Sequence, residues 1–386
     1  MPNKTHVAAR TAAAADAAPA VPLTPGQRSP AASYDVALLD LDGVVYSGSD
    51  AIDGAVDALA AARGAGLRLA FVTNNASRSA SAIAEHLTRL GVPVTSADVV
   101  TSAQAAATLI ASRFPPGSPV LVAGSNALRL AVRERGLRPV SLAADHPVAV
   151  VQGYAPDMNY GLLAEAGVAV RDGAFYVATN SDSTLPTPRG LQPGNGSLLQ
   201  VIITATGTLP VVAGKPETPL HAEAVARTGA RHPLVIGDRL DTDIEGAVRG
   251  GADSMLVMTG VTSARDAVLA APGRRPTYIA ADLGGLLEPQ PAIGPHSSDG
   301  EAGDGEAAGR GPASPASSVG ADGAAPRAFR CGGWQARRPG GSAPLELTGE
   351  GAWIDGLRVL CAAAWAAEHV TDELAAPALA TLGDCR

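Results

Sequence analysis

Residues 36–43 read Val-Ala-Leu-Leu-Asp-Leu-Asp-Gly, and this stretch decides the fold. The four apolar residues Val36–Leu39 are typical of a short strand that is buried on both faces. Asp40 and Asp42 follow at once. Ligands of open parallel sheets bind at the carboxyl ends of the strands, so the two aspartates lie where a site is expected. An Asp-x-Asp pair alone is more often a turn or a solvated edge.

Further apolar runs lie on both sides of this stretch and alternate with amphipathic segments. The runs are Leu69–Val72, Val120–Val122, Val148–Val151, Val211–Val212, Leu234–Ile236 and Met255–Met258. The segments with helical spacing include Val56–Arg63, Ile83–Leu90 and Leu220–Arg227. Strands that alternate with helices predict a parallel α/β sheet.

Four of the runs end in residues that bind phosphate or metal in other sites. Besides Asp40 and Asp42, these are Thr73-Asn74, Lys215-Pro216, and Asp238 with Asp243 five residues on. If the four strands share one sheet, their ends converge on one crevice, which suits a divalent cation and a phosphate. Each piece also has a structural explanation, such as a helix cap at Thr73-Asn74, a first helical turn at Pro216 and a βα turn at Asp238. Their conjunction favours a site.

Lysine usage points the same way. The chain has two lysines, Lys4 and Lys215, and every other cationic side chain apart from histidine is arginine. A lone lysine in the folded region indicates a position that needs a compact point charge rather than a planar guanidinium. Chance survival of Lys215 is the alternative.

The four motifs resemble those of the haloacid dehalogenase superfamily, and most closely its NagD-like branch, subfamily IIA. That branch includes phosphoglycolate, pyridoxal phosphate and 4-nitrophenyl phosphatases. The resemblance spans about Tyr34 to Pro289 and includes the segments Ala178–Asp182 and Pro193–Ser197. Ser181 departs from it, because proline is common there in relatives, and we expect an effect on local shape only. The motifs are Asp40–Tyr46 (DLDGVVY), Thr73–Asn75 (TNN), Gly214–Pro216 (GKP) and Gly237–Ile244 (GDRLDTDI).

The resemblance implies a Mg²⁺-dependent phosphatase with an aspartyl-phosphate intermediate. Asp40 would be the nucleophile and Asp42 the general acid and base. Lys215 would supply a second positive charge beside the metal. The remaining roles are metal binding by Asp40, Asp238 and the backbone carbonyl of Asp42, phosphate binding by Thr73 and the backbone N–H of Asn74 at a helix start, and orientation of Lys215 or a metal-bound water by Asp243.

The resemblance also implies a Rossmann-like, doubly wound parallel sheet core with an inserted α/β cap domain of the C2 type. The cap would close over the site and contact the leaving group. Its candidate substrate contacts are Asn180, Asp182, Gly194 and Gly196. The alternative for Asn180 is a side chain that only satisfies hydrogen bonds within a turn, and the alternative for the two glycines is a plain turn. The predicted organisation is a disordered extension (1–33), core (34–100 and 204–289), cap (101–203), flexible linker (290–326) and a small C-terminal module (327–386).

The C-terminal module is marked by its tryptophans, Trp334, Trp353 and Trp365, which we expect in its core. Its clearest predicted element is a helix over Ile354–Ala367. The module is a candidate for regulation or assembly of the enzyme.

Bulk composition limits the partners. The chain has 386 residues, 46% of them hydrophobic, and a formal net charge of −8, which argues against nucleic acid or an anionic membrane as a partner. There is no apolar run long enough to span a bilayer and no secretory h-region, so we expect a cytoplasmic protein. The three cysteines all lie after residue 330 without CxxC spacing, which disfavours a disulfide framework or zinc site.

Other phosphate chemistries fit poorly. Pro216 rather than serine or threonine follows Gly214-Lys215, so there is no Walker A motif. Pro233 follows Arg231-His232, whereas histidine phosphatases have Arg-His-Gly. His86 and His221 are expected on helix surfaces. A non-catalytic binding protein on the same scaffold would be expected to have lost Asp40, Asp42, Lys215 or Asp238, and all are present.

The substrate is expected to be a small phosphorylated metabolite. Actinobacterial relatives with a C-terminal extension suggest glycerol 3-phosphate, with 2-phosphoglycolate, pyridoxal phosphate or a nucleotide as alternatives. A homo-oligomer formed through the cap is a further expectation.

Overall fold

The structure is a computed structural model, and it describes Leu23 and residues 28–187, 189–295, 328–338, 343–366 and 370–383. Most of the predicted N-terminal extension, and residues 296–326 of the predicted linker, lie outside the described residues.

Strands are numbered in chain order. They are β1 Val36–Leu39, β2 Tyr46–Ser47, β3 Asp50–Ala51, β4 Arg68–Thr73, β5 Val99–Thr101, β6 Pro119–Ala123, β7 Arg138–Val140, β8 Ala149–Gln152, β9 Phe175–Ala178, β10 Thr184–Thr187, β11 Gly190–Pro193, β12 Val211–Val212, β13 Pro233–Gly237, β14 Asp253–Val257, β15 Tyr278–Ala280, β16 Gly294–Pro295, β17 Ala328–Cys331, β18 Trp334–Arg337 and β19 Glu346–Gly349.

Helices are numbered in the same way. They are α1 Pro30–Ser33, α2 Ala55–Gly64, α3 Ala80–Arg89, α4 Ser102–Ala111, α5 Asn126–Glu134, α6 Tyr160–Arg171, α7 Asn195–Thr206, α8 Thr218–Thr228, α9 Glu245–Gly250, α10 Ala264–Val268, α11 Trp353–Trp365 and α12 Asp372–Leu382.

The core is a six-stranded parallel sheet in the order β15-β14-β13-β1-β4-β5. The predicted strand β1 lies inside it, and Leu39 pairs with Ile236 on one side and with Phe71 on the other. Ala37 and Leu39 pack against α2 and α3, while Val36 and Leu38 pack against α4 and α8. Helices therefore cover both faces of β1, which explains its unbroken apolar sequence and confirms the doubly wound core.

A second parallel sheet, in the order β12-β9-β8-β6-β7, forms the inserted unit. Its last strand differs from the expectation that all four motif-bearing strands belong to one sheet. Val211–Val212 pairs with Val177 and Ala178 of β9, so it is the last strand of this second sheet and not a strand of the core. The sheet thus continues past Ile203, the predicted end of the cap. The chain returns to the core only after Val212, and Lys215 lies on that return segment.

The C-terminal module is an antiparallel sheet, β16-β17-β18-β19, packed with α11 and α12. Its first strand lies within the predicted linker, because Gly294 pairs with Arg330. The buried side chain of Gln290 accepts a hydrogen bond from Arg358, which also ties this segment to the module. Trp334 and Trp365 are buried, as expected, and Trp353 is partly exposed.

The module packs directly on the core. Leu256 and Ile279 share one apolar cluster with α11, and the Trp365 ring N–H donates to the Ala267 carbonyl at 3.2 Å. Arg358 Nε donates to the Ile279 carbonyl at 2.8 Å. Within the described residues, no helix combines the length and apolar character needed to cross a membrane.

Candidate active site

The predicted site residues Asp40, Lys215, Asp238 and Asp243 lie together at the carboxyl edge of the core sheet. Lys215 Nζ lies 2.5 Å from Asp40 Oδ1 and 2.6 Å from Asp243 Oδ1, and it donates to the Val72 carbonyl at 3.2 Å. The lysine side chain is 3% exposed and that of Asp243 is 1% exposed. One buried ammonium therefore joins the ends of β1 and β4 to Asp243.

The charges at this point are unbalanced among the described groups. Burial works against the ammonium form of Lys215, but the carboxylates of Asp243 and Asp40 outweigh it and raise the lysine pKa. Burial also raises the pKa of Asp40, against the attraction of Lys215, and the carboxylates of Asp243 and Asp238 add to that rise. The buried carboxyl groups of Asp238 and Asp243 and the partly buried one of Asp40 lie around one ammonium, so a second cation would favour their ionised forms.

The residues around Asp238 fit such a cation. Carboxylate oxygens of Asp40, Asp238 and Asp243 lie within 4.8 Å of one another. Asp238 Oδ2 accepts from the Val261 N–H at 2.7 Å, whereas its buried Oδ1 has no hydrogen-bond partner among the described residues. Burial raises the pKa of Asp238 to about 6. A buried, unpaired carboxylate oxygen beside a second carboxylate is the donor set that Mg²⁺ uses.

Two glycines make room for this carboxylate. A Cβ on Gly43 would lie 2.5 Å from Asp238 Oδ2, and one on Gly260 would lie 2.0 Å from it. Gly43 also has a φ of +78°. The glycine after Asp42 is therefore required both by the turn and by the approach of Asp238.

Asp42 lies at the rim of the site, and its side chain reaches solvent. Burial of part of the carboxyl group raises its pKa, and the nearby Arg78 opposes the rise. A carboxyl group with a raised pKa and access to water suits proton transfer.

The segment Thr73-Asn74 differs from the expectation. Thr73 ends β4 and is buried, but no helix starts at Asn74. The helix α3 begins six residues later at Ala80 and is capped by Ser79, whose Oγ accepts from the Ala82 N–H. The Asn74 side chain is not free to cap a helix, because it bonds to Lys215.

The cap candidates divide into two groups. Asn180 and Asp182 lie against the core, and their side chains contact Asn74 at 2.8 Å and 3.4 Å. Gly194 and Gly196 lie behind that loop, where a Cβ would come 2.3 Å from the carbonyl oxygens of Asp182 and Ser181 respectively. The glycines thus pack against the loop, in keeping with a structural role.

Sequence reasoning missed the loop after β14. Val261 N–H and the Thr262 hydroxyl donate to Asp238, and the Thr259 hydroxyl donates to the Gly43 carbonyl at 2.6 Å. The loop therefore joins the two aspartate motifs. It carries no charge and no glycine pattern that would have marked it.

Sequence reasoning also misplaced His221. The side chain is 7% exposed rather than on the helix surface, and it packs against Gly246. Burial lowers its pKa to about 4, and the charge of Lys215 contributes. Helical spacing alone did not reveal that α9 covers this face of α8.

A parallel α/β core with carboxylates at its strand ends, one buried lysine among them and an inserted α/β unit above them defines a hydrolase of the haloacid dehalogenase type. The family comparisons agree. Residues 37–138 match the model of haloacid dehalogenase-like hydrolases, and residues 212–286 match a second model described as HAD-hydrolase-like. The chain belongs to the haloacid dehalogenase-like hydrolase family. Residues 331–383 match a GCN5-related N-acetyltransferase-like domain, a fold that the sequence reasoning did not predict for the module.

Curated relatives are phosphatases. The chain is 54% identical over 259 residues to a D-glycerol 3-phosphate phosphatase of Mycobacterium tuberculosis, covering 67% of this chain and 72% of the relative. It is 37% identical over 232 residues to the 5′-nucleotidase YutF of Bacillus subtilis, covering 60% of this chain and 89% of the relative.

Solved structures give the same result. A glycerol phosphate phosphatase from Mycobacterium tuberculosis in complex with magnesium matches with a TM-score of 0.77 and 43% identity, over 92% of this chain and 99% of that one. A 4-nitrophenylphosphatase from Thermotoga maritima matches with a TM-score of 0.62 and 29% identity, over 67% of this chain and 98% of that one. The protein is thus a phosphoric monoester hydrolase of the NagD-like branch with Mg²⁺ as its cofactor, as predicted.

Proposed function

We propose that this phosphatase uses Asp40 as its nucleophile and glycerol 3-phosphate as its substrate. The observation that carries the first part is the buried Lys215 between Asp40 and Asp243, beside the unpaired oxygen of Asp238. A lysine of this kind draws a phosphate dianion toward a carboxylate nucleophile, which would otherwise repel it.

The reaction would proceed in two steps. Asp40 attacks phosphorus in line, so that a bond from its carboxylate oxygen forms while the bond to the leaving oxygen breaks. Asp42 gives its proton to the leaving alkoxide. Asp42 then takes a proton from water, which attacks the phosphoryl group, releases inorganic phosphate and restores the Asp40 carboxylate.

Other residues hold the reacting groups. Asp40, Asp238 and the backbone carbonyl of Asp42 would hold Mg²⁺, which when bound supplies positive charge that lets two anions approach. The Thr73 hydroxyl and the Asn74 backbone N–H would bind phosphate oxygens. Asp243 keeps Lys215 in place through its 2.6 Å contact.

Asp182 favours a leaving group without negative charge. Its half-buried carboxyl lies next to Asn74. Burial raises its pKa, and Arg239 and Lys215 are among the charges that oppose the rise. A carboxylate here would accept hydrogen bonds from the hydroxyls of glycerol and would repel the carboxylate of 2-phosphoglycolate. The likeness to the glycerol 3-phosphate phosphatase supports the same choice.

A substrate panel tests the proposal. We expect the highest kcat/KM with glycerol 3-phosphate among glycerol 3-phosphate, 2-phosphoglycolate, pyridoxal phosphate and a nucleoside monophosphate. Asp182→Asn should raise the activity on 2-phosphoglycolate relative to glycerol 3-phosphate, and the exposed Asp145→Asn should not. A preference for another member of the panel would refute the substrate. Assembly through the cap and a cytoplasmic location stay predictions.

A further inference from the structure

The side chain of Asn74 binds the backbone of Lys215 at two points. Asn74 Oδ1 accepts from the Lys215 N–H at 2.8 Å, and Asn74 Nδ2 donates to the Lys215 carbonyl at 3.1 Å. These two bonds engage both backbone polar groups of the lysine. They also occupy both ends of the asparagine amide, so the amide has little capacity left for a substrate.

Lys215 lies outside the helices and strands, so its backbone is not part of a helix or sheet hydrogen-bond pattern. The strand β12 ends at Val212 and the helix α8 begins at Thr218, so the lysine lies on the segment between them. Gly214 allows close approach, because a Cβ there would lie 2.6 Å from Asn74 Oδ1. The Asn74 side chain therefore satisfies the backbone N–H and carbonyl of Lys215, as a neighbouring strand satisfies these groups within a sheet.

Asn74 is also the point where the cap loop meets the core. Its backbone carbonyl accepts from Asn180 Nδ2 at 2.8 Å and from the Ser102 hydroxyl at 2.6 Å. Asn180 is 6% exposed, and its own carbonyl accepts from Asn195 Nδ2 at 2.7 Å. A chain of direct hydrogen bonds thus runs from the start of α7 through Asn180 and Asn74 to the lysine.

We propose that Asn74 is a positioning residue that fixes Lys215 and links its position to the cap loop Asn180–Asp182. The inference rests on the proposed function, in which Lys215 acts on the phosphate. Asn74 acts through the lysine backbone, which aligns the ammonium between Asp40 and Asp243. Removing the side chain therefore displaces the ammonium from its aligned position, and this lowers kcat more than it weakens substrate binding.

The first test is Asn74→Ala in the full-length Mg²⁺ enzyme. A small displacement of a catalytic group costs one to two powers of ten in rate, so we expect kcat to fall by at least about tenfold. We expect KM, and the inhibition constant of inorganic phosphate, to rise by no more than about threefold, since the Asn74 side chain itself contacts no substrate and Lys215 keeps its charge. Unchanged kcat, or a raised KM with kcat retained, would overturn the proposal.

A matched control separates positioning from stability. Asn74→Ala removes two side-chain-to-backbone hydrogen bonds. Asn159→Ala removes one, which Asn159 Oδ1 accepts from the Leu162 N–H at the start of α6. This variant should lose some thermal stability and keep its kcat. If both variants lower kcat alike, Asn74 has only a structural role and the proposal fails.

The link to the cap is tested with Asn180→Ala, which leaves the Asn74 side chain in place and serves if Asn74→Ala does not fold. We expect a smaller kcat loss with KM held. In the double variant the two losses should not add, because Asn180 acts through Asn74. A raised KM in Asn180→Ala, or additive losses, would contradict the link.

The Asp40→Asn variant separates failure of the positioning role from failure of the proposed mechanism. If Asp40→Asn is inactive while Asn74→Ala keeps full kcat, only the positioning role fails. If Asp40→Asn is active, the proposed mechanism itself fails.

Discussion

At the residue scale, the position of Lys215 explains why a chain that uses arginine almost everywhere else keeps a lysine there. The ammonium contacts Asp40, Asp243 and the Val72 carbonyl within a nearly closed space. A planar guanidinium is larger and presents its donors as a fork, so it cannot place one charge between two carboxylates in the same space.

We therefore expect Lys215→Arg to fold and to lose most of its activity, by roughly two powers of ten in kcat/KM. Initial rates of phosphate release at saturating Mg²⁺ measure this. Arg249→Lys, an exchange at a partly exposed helix position, is the control and should be silent. Full activity of Lys215→Arg would show that the lysine is a chance survival.

His221 makes acid stability a second test at this scale. Its pKa is lowered to about 4 from an ordinary 6.5, so the unfolded chain binds a proton that the folded chain refuses. Above pH 6.5 the imidazole is neutral in both the folded and the unfolded state, so it does not change the free energy of unfolding. As the pH drops from 6.5 toward 4, the free energy of unfolding falls by at most about 1.4 kcal/mol per pH unit.

His221→Gln removes this titration, so its urea midpoint should fall less steeply between pH 6.5 and 4 than that of the wild type. The exposed His146→Asn should keep the wild-type slope. Equal slopes for His221→Gln and the wild type would refute the assignment.

Single residues were predictable where their position followed a strong strand. Asp40 and Asp238 follow buried strands, so their meeting at one edge follows from parallel topology. The resemblance predicted only a phosphate contact for the Asn74 backbone. The side-chain contact with Lys215 was not predicted, because the two residues lie 141 positions apart in the chain. Contacts of that kind depend on tertiary structure and leave no local pattern.

At the element scale, the same distinction applies. The long apolar runs became strands close to their predicted bounds, because burial on both faces dictates such sequences. The two-residue run Val211–Val212 was assigned to the wrong sheet, because two apolar residues do not specify a partner. The start of the C-terminal sheet at Gly294 was missed because Gly294-Pro295 carries no apolar pattern that would predict a strand.

The helix α11 gives the prediction at this scale. Trp365 is 5% exposed in the cluster shared by the module and the core, and it bonds the Ala267 carbonyl. Trp365→Ala leaves a cavity and should lower the free energy of unfolding by about 3–5 kcal/mol. Trp353→Ala, at the partly exposed start of α11, should cost clearly less. Urea unfolding decides, and equal losses would contradict a packed interface.

At the scale of the whole molecule, the carboxyl edges of the two parallel sheets face each other. The core contributes Asp40, Thr73 and Asp238. The cap sheet contributes the loops after β6 and β9, where the Ser125 hydroxyl donates to the Ala76 carbonyl and Asn180 donates to Asn74. Each sheet presents the edge where parallel strands bind ligands, so we propose that the substrate binds between the two.

The module extends the core on the opposite side of β14 from β13. It covers Ile279 of the edge strand β15 and packs on α10, which follows the loop that holds Asp238. Sequence composition revealed that a module exists, through its tryptophans, but not that it shares an apolar core with the phosphatase unit.

The proposed mechanism depends most on the identity of the nucleophile. The direct measurement is the rate of phosphate release from glycerol 3-phosphate by Asp40→Asn with saturating Mg²⁺, beside the wild type and the exposed control Asp57→Asn. We predict no release above background for Asp40→Asn, with unfolding as in the wild type, and normal turnover for Asp57→Asn. Turnover near the wild-type rate in Asp40→Asn would contradict the mechanism.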